Sequence, residues 1–145
     1  MFFNKSNKDK INLRLPSAAL RIPTGALILN SGLGKFQVDK EGAEGLRDMA
    51  TDGIPQLGQV DAENFATGLA SAETALGAAL LCPLIPNRLA GLGLTAFGAG
   101  LLSMYFGNDQ YTEDDGIRPS SAGLAIAKDS WLVGIGLALA ALPRK

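Results

Sequence analysis

Four apolar blocks, each near the length a helix needs to cross a bilayer, occupy residues 20–38, 65–84, 89–108 and 123–142 of this 145-residue chain. The third, LAGLGLTAFGAGLLSMYFGN, is uncharged throughout; as a helix it extends about 30 Å, the thickness of the hydrocarbon layer. The second carries a single acid, Glu73. The fourth is apolar apart from Lys128 and Asp129, and the first contains Arg21 and Lys35. Helices apolar on every face need a bilayer or a larger protein to cover them. The expectation is therefore an all-α integral membrane four-helix bundle, with residues 1–145 forming one domain.

Composition narrows the chemistry. Apolar residues make up 47% of the chain and charged residues only 19%, and the mean hydropathy is positive, at +0.17. There is no histidine and a single cysteine, Cys82. Histidine triads, histidine-ligated haem, histidine metal sites, cysteine-rich zinc sites and internal disulfides are thus excluded within the chain. A net charge of −1 lacks the basic surplus of a nucleic-acid binder. No residue is singled out as catalytic, and no metal ligands are expected.

Loop charges give an orientation. Lys5, Lys8, Lys10 and Arg14 precede the first block, Arg88 lies between the second and third, and Arg144 and Lys145 follow the fourth. Residues 36–64 hold Asp39, Glu41, Glu44, Asp48, Asp52, Asp61 and Glu63 against Lys40 and Arg47. Residues 107–122 hold Asp109, Glu113, Asp114 and Asp115 against Arg118. Alternate loops separate by sign, which for four spans places both termini in the cytoplasm. The first block reads as an uncleaved signal anchor, because no A-x-A site follows its long basic region. Within the first outer loop, residues 43–50 have helical composition, with Leu46 and Met49 on one face, and Asp52-Gly53 and Ile54-Pro55 end the helix. Tyr105, Phe106 and Tyr111 fall where an outer aromatic belt belongs.

A lone charge at mid-bilayer costs about 2.5–3.5 kcal/mol, so each one needs a partner or a wet recess. At 1.5 Å per residue, Lys35 lies about 22 Å from the cytoplasmic edge, Glu73 about 18 Å from it, and Lys128 about 8 Å below the outer edge. Lys35, Glu73, Lys128 and Asp129 thus share one layer, their charges cancel, and they form a candidate intramembrane polar cluster. Asn30, Ser31, Ser71, Thr74 and Ser130 lie at neighbouring depths to complete the hydrogen bonding, with Trp131 as a roof. Such a cluster either holds helices in register or lines a pocket for a headgroup, a substrate or a proton. Arg21, near the cytoplasmic edge, is expected to snorkel to lipid phosphate. Small residues spaced four apart, such as Gly91/Thr95, Ala96/Gly100, Gly134/Ala138 and Gly136/Ala140, mark faces for close helix packing. Gly91, Gly100, Gly134 and Gly136 are the candidate packing glycines, some of them expected to face another subunit. The Gly91–Ala96 stretch mimics a nucleotide-binding fingerprint but has no strand before it. The acidic run 109–115 lacks the spacing of a calcium loop.

Arg21-x3-Gly25, Gly32-x2-Lys35, Glu73-x3-Gly77, Pro86-x-Arg88-x2-Gly91 and Lys128-Asp129 together resemble the DoxX family of small four-helix membrane proteins over residues 20–142. The long acidic loop 36–64 departs from that pattern. The resemblance implies a bacterial plasma-membrane protein associated with redox systems of the respiratory chain, with Lys35, Glu73 and Lys128 as family-like polar positions. Two functions follow. One is a non-catalytic accessory subunit of a respiratory or other redox complex, a passenger of an electron-transport supercomplex. The other is a quinone-binding subunit of an oxidoreductase such as a thiosulfate:quinone enzyme. With no flavin motif, metal site or cysteine pair in the chain, the accessory reading is preferred. A small transporter is a third reading.

Overall fold

A computed structural model describes residues 14–143. Lys5, Lys8 and Lys10, and Arg144 and Lys145, which enter the orientation argument, lie outside the described residues. The described chain is all-α. Its elements are α1 (Arg14–Lys35), α2 (Lys40–Thr51), a 3-10 turn (Pro55–Gln59), α3 (Ala62–Leu81), α4 (Asn87–Gly107), a second 3-10 turn (Asp109–Tyr111), α5 (Leu124–Ala127) and α6 (Ser130–Ala141).

Local chemistry sets the boundaries. Asp39 caps α2 by accepting the Gly42 N–H at 2.7 Å, and Asp61 caps α3 by accepting the Asn64 N–H at 3.1 Å. Helix α3 stops at Cys82-Pro83, and α4 starts immediately after Pro86. The fourth apolar block, read as one span, is interrupted. At Lys128-Asp129 the hydrogen bonds shorten to Trp131 N–H to Lys128 O and Leu132 N–H to Asp129 O, a tight turn between α5 and α6.

The four longest apolar helices pair antiparallel, α1 with α3 and α4 with α6, as two hairpins. Glycine makes both crossings close. A Cβ on Gly77 would sit 2.5 Å from the Leu29 backbone nitrogen, and one on Gly32 would sit 2.6 Å from that of Thr74. In the other hairpin a Cβ on Gly91 would lie 2.5 Å from the Gly136 carbonyl. The hairpins join through a small core of Ile28, Leu80, Ala90, Leu94 and Leu139. At the acidic end α2 lies across them. Ala43 packs on Ala62 and Ala66 of α3, with Leu46 beside them. Met49, expected on the same face as Leu46, is exposed. The Asp52 carboxylate accepts from Asn108 Nδ2 at 3.0 Å, which ties the end of α2 to the end of α4.

The second acidic loop folds on itself. Thr112 pairs with Pro119 in a single β-bridge, and the Asp115 carboxylate takes the side chain of Arg118 at 2.6 Å together with the Ile117 and Arg118 N–H groups. Arg118 chiefly, with the two N–H groups, holds that carboxyl down at about 2. Tyr105 is buried rather than in a belt; its hydroxyl donates to the Ile117 carbonyl at 2.6 Å and anchors this loop.

Among the described residues two stretches are long and apolar enough to cross a membrane, Asn87–Gly107 and Leu124–Ala141, and only 28% and 17% of the most apolar 18 residues in each are buried inside the protein. A core helix of a soluble protein would be mostly covered, whereas these show their apolar faces outward. Helices α1 and α3 do not reach the same apolarity, because Arg14, Arg21, Asn30 and Lys35 interrupt the first, and Glu63, Asn64 and Glu73 the second. A membrane association of the chain is therefore supported by two helices.

Candidate functional site

Two of the four charges expected to meet do so. Lys35 ends α1 and Glu73 lies in the middle of α3, and the antiparallel crossing brings Nζ to 3.0 Å from Oε2. The Glu73 side chain is 5% exposed and that of Lys35 20%, so the pair is buried on its acidic side and reaches the surface through the lysine stem. Lys35 also donates to Ser31 Oγ, one turn back on its own helix. Gly32 is what admits this contact: without a side chain there, α3 comes close enough to lay Glu73 and Thr74 against α1. The Thr74 hydroxyl is buried beside Gly32 without a hydrogen-bond partner.

Lys128 and Asp129 do not join the pair. They sit at the α5–α6 turn, on the hairpin in which α6 packs chiefly on α4, whereas Lys35 and Glu73 belong to the α1–α3 hairpin. Among the described residues neither has an ion pair or a side-chain hydrogen bond. Lys128 is exposed and Asp129 half-buried. Asn30 and Ser130 are exposed, Ser71 bonds back to Thr67 O in its own helix, and Trp131, 68% exposed, roofs nothing. Equal depth in a bilayer is one coordinate of three; the hairpin pairing fixes the other two.

The expectation for Arg21 is overturned. It is 7% exposed and does not reach outward to lipid. Its Nε donates to Leu80 O at 2.8 Å, Nη1 to Ile85 O and Asn87 Oδ1 at 2.8 Å each, and Nη2 to Ala79 O at 2.7 Å and Cys82 O at 2.8 Å. All five guanidinium donors are used, four of them on carbonyls at the end of α3 and in the turn after it. The signal was in that turn. Leu80-Leu81-Cys82-Pro83-Leu84-Ile85-Pro86 contains no glycine to close the helix, and its two prolines have no N–H. The last carbonyls of α3 were short of donors, and a buried arginine from the neighbouring helix supplies them.

Arg21 also floors a cleft of about 1020 Å³ between the two hairpins at this end of the bundle. Its lining mixes polar residues, Arg14, Ser17, Asn87 and Arg88, with apolar ones such as Ile22, Leu81 and Leu142.

The packing glycines divide. Gly91 and Gly136 sit inside the α4–α6 crossing, where each faces the other's backbone, whereas nothing lies within 4 Å of a Cβ built on Gly100 or Gly134. The open pair points away from this chain.

The ion pair gives a prediction. Breaking a buried pair from one side leaves the other charge stranded, at a cost of about 3–5 kcal/mol when both are deep. Lys35 is partly exposed, so Glu73→Gln is expected to destabilise by about 1–3 kcal/mol. The double variant Lys35→Met with Glu73→Leu is expected to recover most of that loss in an unfolding titration in mixed micelles. Single losses that simply add would show that the pair is not coupled.

Set against family models, curated proteins and solved structures, the chain matches none of them.

Proposed function

We propose that the chain is a multi-pass protein of the bacterial plasma membrane, crossing four times with both termini cytoplasmic. It serves as a non-catalytic helical subunit of a larger membrane complex, a redox or respiratory assembly by its resemblance to the DoxX family. The observation that carries this reading is the contrast between its faces. Inside the bundle Lys35 is paired with Glu73 and Arg21 has hydrogen-bond partners for its donors. Outside, α4 and α5–α6 present apolar surface dotted with side-chain-free positions at Gly100 and Gly134. Partners for these buried groups lower the cost of placing α1 and α3 in lipid. Bare glycines on apolar helices allow close approach by another helix.

The quinone reading calls on Lys35, Glu73 and Lys128. Lys35 and Glu73 are occupied with each other, and Lys128 stands on the other hairpin. Holding helices together is the better-supported role.

Purification of the tagged protein from its native membrane in mild detergent tests the proposal. Partner subunits are expected at a constant ratio, with cytochrome absorbance in the eluate. Gly100→Leu and Gly134→Leu are expected to keep the bundle folded and to reduce the recovered partners, since a bulky side chain at a small-residue face holds the facing helix away. A clean homo-oligomer with no other subunit contradicts the proposal.

A further inference from the structure

We propose that the cleft at the basic end of the bundle binds the phosphate of an acidic phospholipid; this rests on the membrane reading above. Three cationic side chains line the cleft, Arg14, Arg21 and Arg88, and among the described residues no aspartate or glutamate does. Arg21 is the telling one. Its hydrogen bonds are complete, but every partner is a neutral oxygen, four carbonyls and the Asn87 amide. The end of α3 contributes roughly half a negative charge through its dipole. A buried guanidinium therefore keeps much of its positive charge uncompensated at the base of an open cleft. Arg88, exposed at the rim, makes no ion pair or side-chain hydrogen bond among the described residues. An anion at Arg88 accepts hydrogen bonds from that side chain and gains from the charge of Arg21, whose donors are already in use.

The walls say which anion. Beside the cations, Ile22, Leu81 and Leu142 line the same cleft, and Ile22 and Leu81 are exposed. A free phosphate would leave those apolar side chains wet. A phospholipid covers both kinds of side chain, its phosphodiester at the arginines and the start of its acyl chains along α1 and α3. At about 1020 Å³ the space suits a headgroup with its glycerol, at the upper end of small-molecule sites. The cleft also lies at the end of the bundle that the positive-inside pattern assigns to the cytoplasmic surface, where acidic lipids concentrate.

The test uses the full chain in neutral detergent, with phosphatidylglycerol, phosphatidylcholine and glycerol 3-phosphate as probes, read by native mass spectrometry and by thermal shift. Phosphatidylglycerol is expected to stay bound and to raise the melting temperature, while phosphatidylcholine does neither. Arg88→Gln is expected to weaken phosphatidylglycerol binding about fivefold and Arg88→Glu about 25-fold, from the usual contribution of one basic residue facing an acidic lipid. Lys40→Gln, at the opposite end, removes the same charge and is expected to change nothing. Equal binding of the two lipids, or equal damage from Lys40→Gln, overturns the proposal. Glycerol 3-phosphate binding as tightly as phosphatidylglycerol overturns the lipid assignment. Recovery of the chain from the soluble fraction sinks the membrane reading itself. Lipid indifference in a detergent-dependent protein sinks this inference alone.

Discussion

Arg21→Leu is expected to destabilise the bundle by about 3–5 kcal/mol in a micellar unfolding titration, the largest single-residue effect in the chain. The side chain bonds five oxygens, and leucine bonds none. A buried acceptor left without a donor costs about 1–3 kcal/mol, but some of these carbonyls open toward the cleft and regain water, so the sum falls well short of five full penalties. Removing a buried charge also returns part of its desolvation cost. Arg21→Lys is expected to rescue less than half. An ammonium has three donors at a point, and the oxygens of Ala79, Leu80, Cys82, Ile85 and Asn87 are arranged around a planar fork. A loss under about 1 kcal/mol for Arg21→Leu would mean that the end of α3 closes without help, and that the arginine is not its cap.

Gly77→Ala carries the second large effect. The added methyl would lie 2.5 Å from the Leu29 nitrogen and 2.7 Å from its Cα. Both are backbone atoms, so no rotamer change relieves the clash and α1 as a whole must move out. That movement stretches the Lys35–Glu73 pair and the Arg21 contacts together. Overpacking of this kind costs about 1–3 kcal/mol, with the upper end expected at this crossing. Gly68→Ala in the same helix is the control with the opposite sign. Nothing lies within 4 Å of the new Cβ, and replacing glycine by alanine inside a helix stabilises by up to about 1 kcal/mol. The same thermal scan on both variants separates close packing from helix propensity, since propensity alone would make both more stable.

The helices were readable from the apolar blocks because length and lack of charge are local properties. Their ends shifted because Asp39, Asp61 and Pro86 set starts that hydropathy does not register. The expectation for Lys35 and Glu73 rests on depth, and the pair forms because the helices that carry the two residues pack on each other in one hairpin. Depth failed for Lys128 and Asp129 because their helix belongs to the other hairpin, and depth says nothing about azimuth. Small-residue spacing likewise marks where a close approach is possible, without saying to whom. Gly91 and Gly136 turn inward and Gly100 and Gly134 do not, although all four stand in the same kind of motif. Arg21 escaped for a different reason. An arginine near a membrane edge ordinarily snorkels, and only the shortage of donors after Leu80, a feature of another helix, makes its inward course necessary.

The central claim is that α1 and α3 cross the membrane together with α4 and α5–α6, and single-cysteine labelling tests it most directly. In a Cys82→Ala background, one cysteine is placed by Asp48→Cys in α2, by Asp114→Cys in the second acidic loop, or by Leu84→Cys, a site 87% exposed at the basic end. Intact cells are then treated with a membrane-impermeant maleimide. Four crossings predict labelling at 48 and 114 from outside, and at 84 only after permeabilisation. If α4 and α5–α6 alone cross, position 48 stays on the inner side with 84, and labelling at 114 without labelling at 48 would contradict the four-span topology.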